Sequence, residues 1–220
     1  MNTGFYRVAA SSPEIYLGDC VNNADNIIHI AESLAKKDVQ LVVFPELCIT
    51  GYSCADMFLR KELIAQAQQE LDRIKTALQD LSILVCVGLP IEDEAGRLFN
   101  CAAYVHSGEI VGIVPKTYIP NYGEFYEKRW FTSADKRLSD EITLNYVANR
   151  PTVPFSPNII IKDLRGAIVG TEICEDLWVS APPSGELCKA GANIIINPSA
   201  SNDVIGKREY RRSLVAMQSG

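Results

Sequence analysis

Three residues of complementary chemistry stand just past short apolar runs. Glu46 follows Val42-Val43-Phe44-Pro45, Lys116 follows Ile113-Val114-Pro115, and Cys174 follows Glu172-Ile173. Runs of this kind read as buried strands, and sites in α/β folds gather at the carboxyl ends of strands. A thiol near neutral pH is mostly protonated, so a cysteine nucleophile needs a base beside it. A carboxylate serves if desolvation raises its proton affinity. Attack on an amide carbon creates an oxyanion, which a fixed ammonium and a backbone N–H can stabilise. The carboxylic acid can then protonate departing ammonia and activate the water that opens the thioester. Cys174 as nucleophile, Glu46 as base and Lys116 as oxyanion partner therefore make a set suited to cleaving a carbon–nitrogen amide bond.

Each residue alone also has an ordinary reading: a loop acid or helix cap for Glu46, a surface lysine for Lys116, a core thiol for Cys174. Their joint occurrence at three strand ends shifts the balance. The only histidines are His29, between Ile28 and Ile30, and His106, beside the turn Ser107-Gly108. Neither follows a pattern expected of a catalytic base, so a carboxylate is the partner expected for the thiol. Cys188 reads as the core of a short helix, and Cys48 and Cys54 as packing residues.

The elements that must carry these residues follow from periodicity. Tyr6 to Ala10 reads as a strand. Val21, Ala24, Ile27, Ile28, Ala31, Leu34 and Ala35 recur at helical spacing, with Asp19 as N-cap. Val39 to Phe44 is a buried strand. Leu63, Ile64, Ala67, Leu71, Ile74 and Leu78 mark a second helix, and Ile83 to Leu89 a strand stopped by Pro90. Cys101 to Val105, Ser107-Gly108 and Ile110 to Val114 form a hairpin. From Pro120 to Pro157 the chain has little period and many aromatics, the mark of a functional loop. Ile159 to Ile161 and Ala167 to Ile173 make another hairpin. A short helix from Gly185 to Ala190, a strand from Asn193 to Asn197 and a helix from Lys207 to Met217 complete the order. Mixed sheets covered by helices are expected, in one domain.

Composition is that of an ordinary globular protein: 220 residues, 47% apolar, 22% charged. The net charge of -6 argues against nucleic acid or anionic membrane as main partner. No apolar run suits a membrane span. Seven cysteines without a C-x-x-C pair suggest free thiols in a reducing compartment, with the cytoplasm as the expected location. No metal ligand set is visible.

The sequence resembles the nitrilase superfamily of carbon–nitrogen hydrolases and, more narrowly, the glutamine amidohydrolase domains of glutamine-dependent NAD synthetases. The matching stretches are Leu41-Val42-Val43-Phe44-Pro45-Glu46 with Thr50-Gly51-Tyr52, Pro115-Lys116-Thr117-Tyr118-Ile119-Pro120-Asn121-Tyr122-Gly123-Glu124-Phe125-Tyr126-Glu127, Cys174-Glu175-Asp176-Leu177-Trp178, and Asn197-Pro198-Ser199-Ala200-Ser201 with Gly206-Lys207. The resemblance implies an α-β-β-α sandwich with Glu46, Lys116 and Cys174 as the triad. It implies Glu124 as a second carboxylate that positions the lysine and substrate, with Glu127 as the rival. Tyr122, Glu175, Ser201 and Lys207 match substrate-binding positions, with L-glutamine as substrate. The domain itself would need no cofactor. ATP and magnesium would belong to a C-terminal synthetase domain, the expected partner, whose Ser-Gly-Gly-x-Asp-Ser phosphate loop is not found in residues 1–220. The resemblance further implies a carbon–nitrogen hydrolase domain cut short at its C-terminus and a homo-oligomeric parent. A stand-alone amidase or carbamoylase, and a non-catalytic interaction domain of the same fold, are the competing readings.

Overall fold

The computed structural model describes residues 4–220. Five strands form one sheet in the order β1-β2-β3-β4-β5: Val8–Ala10, Leu41–Val43, Leu84–Glu92, Leu98–His106 and Glu109–Pro115. The first three run parallel, and β3, β4 and β5 are antiparallel. A second sheet has the order β10-β9-β8, made of Ile194–Ile196, Ile168–Thr171 and Ile160–Lys162. Helices α1 (Cys20–Ala35) and α2 (Lys61–Ala77) cover the first sheet, while α3 (Pro183–Lys189) packs on β9. The layers are thus helix, sheet, sheet, helix, as expected for the nitrilase-type sandwich. A further helix, α4 (Lys207–Ser219), follows β10.

Alternation along β3 explains its unbroken apolar run. Val85, Val87, Leu89 and Ile91 join the core beneath α1 and α2, whereas Leu84 and Cys86 join the layer between the sheets. A strand buried on both faces has no polar side to show. The two sheets are also joined by a hydrogen bond between Tyr104 Oη and Thr171 Oγ1.

Local chemistry sets the element ends. Asp19 caps α1, accepting from Asn22 N at 3.1 Å. Ser107 and Gly108 both take positive φ, 46° and 79°, which matches the twist of the two-residue turn joining β4 and β5. Pro90, expected to stop β3, lies inside it, opposite Asn100. Residues of its parity turn their backbone groups away from β4: Cys86 O accepts from Phe44 N on the β2 side. Strand β2 pairs no further than Cys86, so no ladder partner lies there to miss an N–H from Pro90. The stretch expected to be aperiodic holds a small antiparallel pair, β6 (Glu141–Thr143) and β7 (Thr152–Pro154), against the end of the first sheet.

Candidate active site

The carboxyl ends of β2, β5 and β9 converge, and they bring Glu46, Lys116 and Cys174 together. Glu46 sits on a tight turn. Leu47 after it takes φ 52°, and the turn is held by Gly51 N to Leu47 O at 2.7 Å and Ile49 N to Gly88 O at 3.1 Å. Asn23 of α1 braces the same turn, donating to Ile49 O at 3.0 Å. Gly88 lets the turn lie against β3. A Cβ there would stand 2.2 Å from Leu47 N and 2.7 Å from Pro45 O.

Cys174 opens a single 3-10 turn, Cys174–Leu177, with φ 46°. A non-glycine residue in the left-handed region costs energy and persists only where its surroundings hold it. Here Cys174 N donates to Pro198 O at 3.1 Å, and Asn197 Nδ2 reaches Cys174 O at 3.5 Å. Asp176 ties this turn to the end of β5. It accepts from Ile173 N at 2.9 Å and from Tyr118 N at 2.7 Å. Burial pushes the Asp176 carboxyl up to about 7, against those donors.

Lys116 is fully buried and bonded to two carboxylates. Its Nζ lies 2.6 Å from Glu46 Oε1, and 2.7 and 2.9 Å from the two oxygens of Glu127. Burial disfavours the lysine charge, but Glu46 and Glu127 outweigh it and raise its pKa above the ordinary lysine value. Glu127 opens another short turn, with its N–H on Pro120 O at 3.2 Å, and accepts from Tyr52 Oη at 2.7 Å. Burial raises the Glu127 carboxyl, opposed by Lys116 and reinforced by Glu46.

Of the two carboxylates weighed for the lysine, it is therefore Glu127 that touches it. Glu124 lies in an exposed bend beside Gly123 and bonds Asn202 Nδ2 instead. The contact to the lysine expected of Glu124 is made instead by its rival Glu127, because only Glu127 is buried where the lysine ends. Sequence reasoning missed Asn100 altogether and met Tyr52 only within the Thr50-Gly51-Tyr52 stretch, with no role attached. An asparagine in a strand carries no pattern that marks it.

The thiol of Cys174 is pushed up to about 12, first by burial and then by the charge of Glu46, with Lys116 and Ser199 opposing. A thiolate there would face the carboxylates of Glu46 and Glu127 with only Lys116 to balance them, so the arrangement favours the thiol form of Cys174.

At the mouth, Tyr122 Oη lies 2.9 Å from both oxygens of Glu175. Lys207 stands over the Trp178 ring at 5.1 Å and bonds Asn202 Oδ1. Trp178 stacks on Tyr210, and Ser201 Oγ accepts from Arg211 at 3.3 Å. The four residues expected to bind substrate thus fall in one region, joined by Glu124. His29 lies in α1, and His106 ends β4 with Nδ1 at 3.3 Å from Ile83 O; neither is in the site.

Fold and site define a class, and the sequence agrees: the chain belongs to the carbon–nitrogen hydrolase family, whose pattern matches residues 7–218. Among individual proteins, it is 35% identical over 218 residues to the glutamine-dependent NAD(+) synthetase of Mycobacterium leprae. That match covers 98% of this chain and 31% of the relative, so the chain spans about a third of its length. The solved glutamine-dependent NAD(+) synthetase of Cytophaga hutchinsonii superposes with a TM-score of 0.81 at 30% identity, over 97% of this chain and 33% of that one. An amidase from Nesterenkonia shares the fold at 18% identity, with a TM-score of 0.73 over 97% of this chain and 71% of that one.

Proposed function

We propose that this chain hydrolyses the side-chain amide of L-glutamine and supplies the ammonia to a synthetase domain that amidates deamido-NAD with ATP. The observation that carries the reaction type is Lys116, buried and fixed 2.6 Å from Glu46 beside the Cys174 thiol. Glu46 takes the thiol proton as sulfur bonds to the amide carbon. Lys116 has three N–H donors. In the resting site these face three carboxylate oxygens, one of Glu46 and two of Glu127; turning one N–H from Glu127 to the substrate supplies the oxyanion, with the N–H of Glu175 at the start of its turn as second donor. The tetrahedral adduct collapses to a thioester, and the amide nitrogen leaves as ammonia with the proton from Glu46. Water, deprotonated by Glu46, opens the thioester, and the thiol recovers its proton as glutamate departs.

Support for glutamine as substrate comes from the mouth. Glu175, bonded to Tyr122, and Lys207, over the Phe125 and Trp178 rings, bring one negative and one positive group to this region, suited to the α-amino and α-carboxylate groups of an amino acid. The relatives that this chain resembles are named for glutamine dependence. ATP and magnesium belong, in this reading, to the synthetase domain. A structural neighbour from Acinetobacter baumannii, a glutamine-dependent NAD+ synthetase, holds ADP. All seven cysteines are free thiols, which fits a cytoplasmic enzyme, and we place it there as a homo-oligomer. Among the described residues, no helix is long and apolar enough to cross a membrane.

The test is ammonia release from glutamine by the parent enzyme, with Cys174→Ala as control. Glutamine hydrolysis should vanish while NAD formation from free ammonia continues. Glutamine hydrolysis retained by that variant would refute the assignment.

A further inference from the structure

Asn100 has no part in the chemistry above, yet it stands inside the site. It lies in β4 opposite Pro90, with no exposed surface. Its backbone serves the sheet, with its carbonyl accepting from Lys116 N at 2.8 Å. Its side-chain amide does something else. Nδ2 donates to Glu46 Oε1 at 2.8 Å and reaches Glu127 Oε2 at 3.4 Å. It is a neutral donor shared between two carboxylates that repel each other. The opposite amide orientation would aim an oxygen at both carboxylates. Oδ1 is buried with no hydrogen-bond partner among the described residues. A buried amide that leaves its own oxygen unpaired is not placed for stability alone, since an unpaired buried acceptor costs free energy.

The consequence concerns which atom of Glu46 is the base. Each carboxylate oxygen has two lone-pair positions. On Oε1 both are occupied, by Lys116 Nζ at 2.6 Å and by Asn100 Nδ2 at 2.8 Å. On Oε2 one is occupied, by Ala200 N at 3.0 Å, and the other is open. We infer that Asn100 is a positioning residue that fills Oε1 of Glu46 and leaves Oε2 as the atom that takes the Cys174 proton. The step is a proton transfer from Sγ to Oε2 as sulfur bonds to its electrophile.

The titratable groups facing Glu46 are Lys116, Glu127, Cys174 and Tyr52. The substitution Asn100→Leu leaves all four in place and removes one donor from Glu46. The charged form of Glu46 then loses a charge-assisted hydrogen bond, a loss that corresponds to a shift of about 1 to 2 pH units.

This inference rests on Glu46 as base, but it can be read without glutamine. Iodoacetamide alkylates Cys174 only as fast as its proton is taken, whatever the natural substrate. Cys188, expected in the core of its helix, is instead exposed on α3, so the parent enzyme is made with Cys188→Ser and the rate of Cys174 alkylation is followed against pH by peptide mass. The acid limb of that profile should move to higher pH by about 1 to 2 units in Asn100→Leu. Asn100→Ala, which fits without crowding, should move it in the same direction. An acid limb unmoved in both variants, whatever the loss of overall rate, would overturn the inference and leave Asn100 a structural residue. Wild-type protein that alkylates with a normal acid limb yet releases no ammonia from glutamine would sink the substrate reading and leave this one standing.

Discussion

The pair Glu127→Gln and Glu124→Gln separates two carboxylates three positions apart. Glu127 gives Lys116 contacts at 2.7 and 2.9 Å, whereas Glu124 is exposed and bonded to Asn202. In Glu127→Gln the buried charge count changes from two negatives and one positive to one of each. The fold should survive, because the glutamine oxygen still accepts from Lys116 or Tyr52 and the remaining Lys116–Glu46 pair is balanced. Catalysis should not survive well. Lys116 is drawn toward Glu46, its one remaining anion, and away from the developing oxyanion. A displacement near 1 Å costs about 10²-fold in rate, and full loss of an oxyanion donor about 10² to 10³. We therefore expect kcat for glutamine hydrolysis to fall by about 10²-fold in Glu127→Gln, with a Tm close to wild type. Glu124→Gln should leave kcat within about threefold, since a neutral amide at an exposed bend loses little. Ammonia release at saturating glutamine, with thermal unfolding alongside, gives both readings. Normal kcat in Glu127→Gln with a large loss in Glu124→Gln would refute the assignment of the lysine's partner.

Other consequences are more local. Gly88→Ala would drive a Cβ into the backbone of the Glu46 turn, and should cost about 3 kcal/mol of stability and most of the activity, read by thermal unfolding and ammonia release. Glu175→Gln should raise KM for glutamine more than for a simple primary amide, because only glutamine brings an α-ammonium to that carboxylate; equal effects on both would remove Glu175 from recognition. Burial raises the thiols of Cys20, Cys48 and Cys174 to about 12, from an ordinary value near 9. The folded state therefore holds protons that the unfolded chain releases. This stability is present below about pH 9 and is lost as pH rises toward 12, by up to about 1.4 kcal/mol per pH unit for each thiol. Denaturant midpoints between pH 8 and 10.5 should fall, less steeply in Cys48→Ala, and a rising midpoint would contradict the burial described for these thiols.

Local signals in the chain spoke clearly where one residue's own chemistry decides the outcome. Asp19 caps a helix because its side chain reaches an N–H three residues on, and Ser107-Gly108 turns the chain because both accept positive φ. The ends of β2, β5 and β9 were legible because an apolar run that stops at a polar residue is written in order along the sequence. Signals failed where the outcome depends on distant neighbours. Pro90 stays in a strand because β2 is too short to need its N–H. The pair β6–β7 has three residues a side and buries only Ile142 and Val153, too few to set a period. Glu124 and Glu127 differ by three positions in a stretch without regular structure, and only the packed fold says which one is buried. Asn100 acts through two carboxylates that lie 54 and 27 positions away along the chain.

The bond from Ala200 N to Glu46 Oε2 joins positions 154 apart. Its consequence lies in the order of synthesis. A chain made from its N-terminus exposes Glu46, Lys116 and Cys174 to solvent long before residue 200 has left the ribosome. Until then the carboxylate lacks one of its donors, and the Pro198 carbonyl that holds the backbone of Cys174 has not arrived. The surroundings of Glu46 and Cys174 are consequently incomplete until the segment that follows β10 has been made and has packed against them.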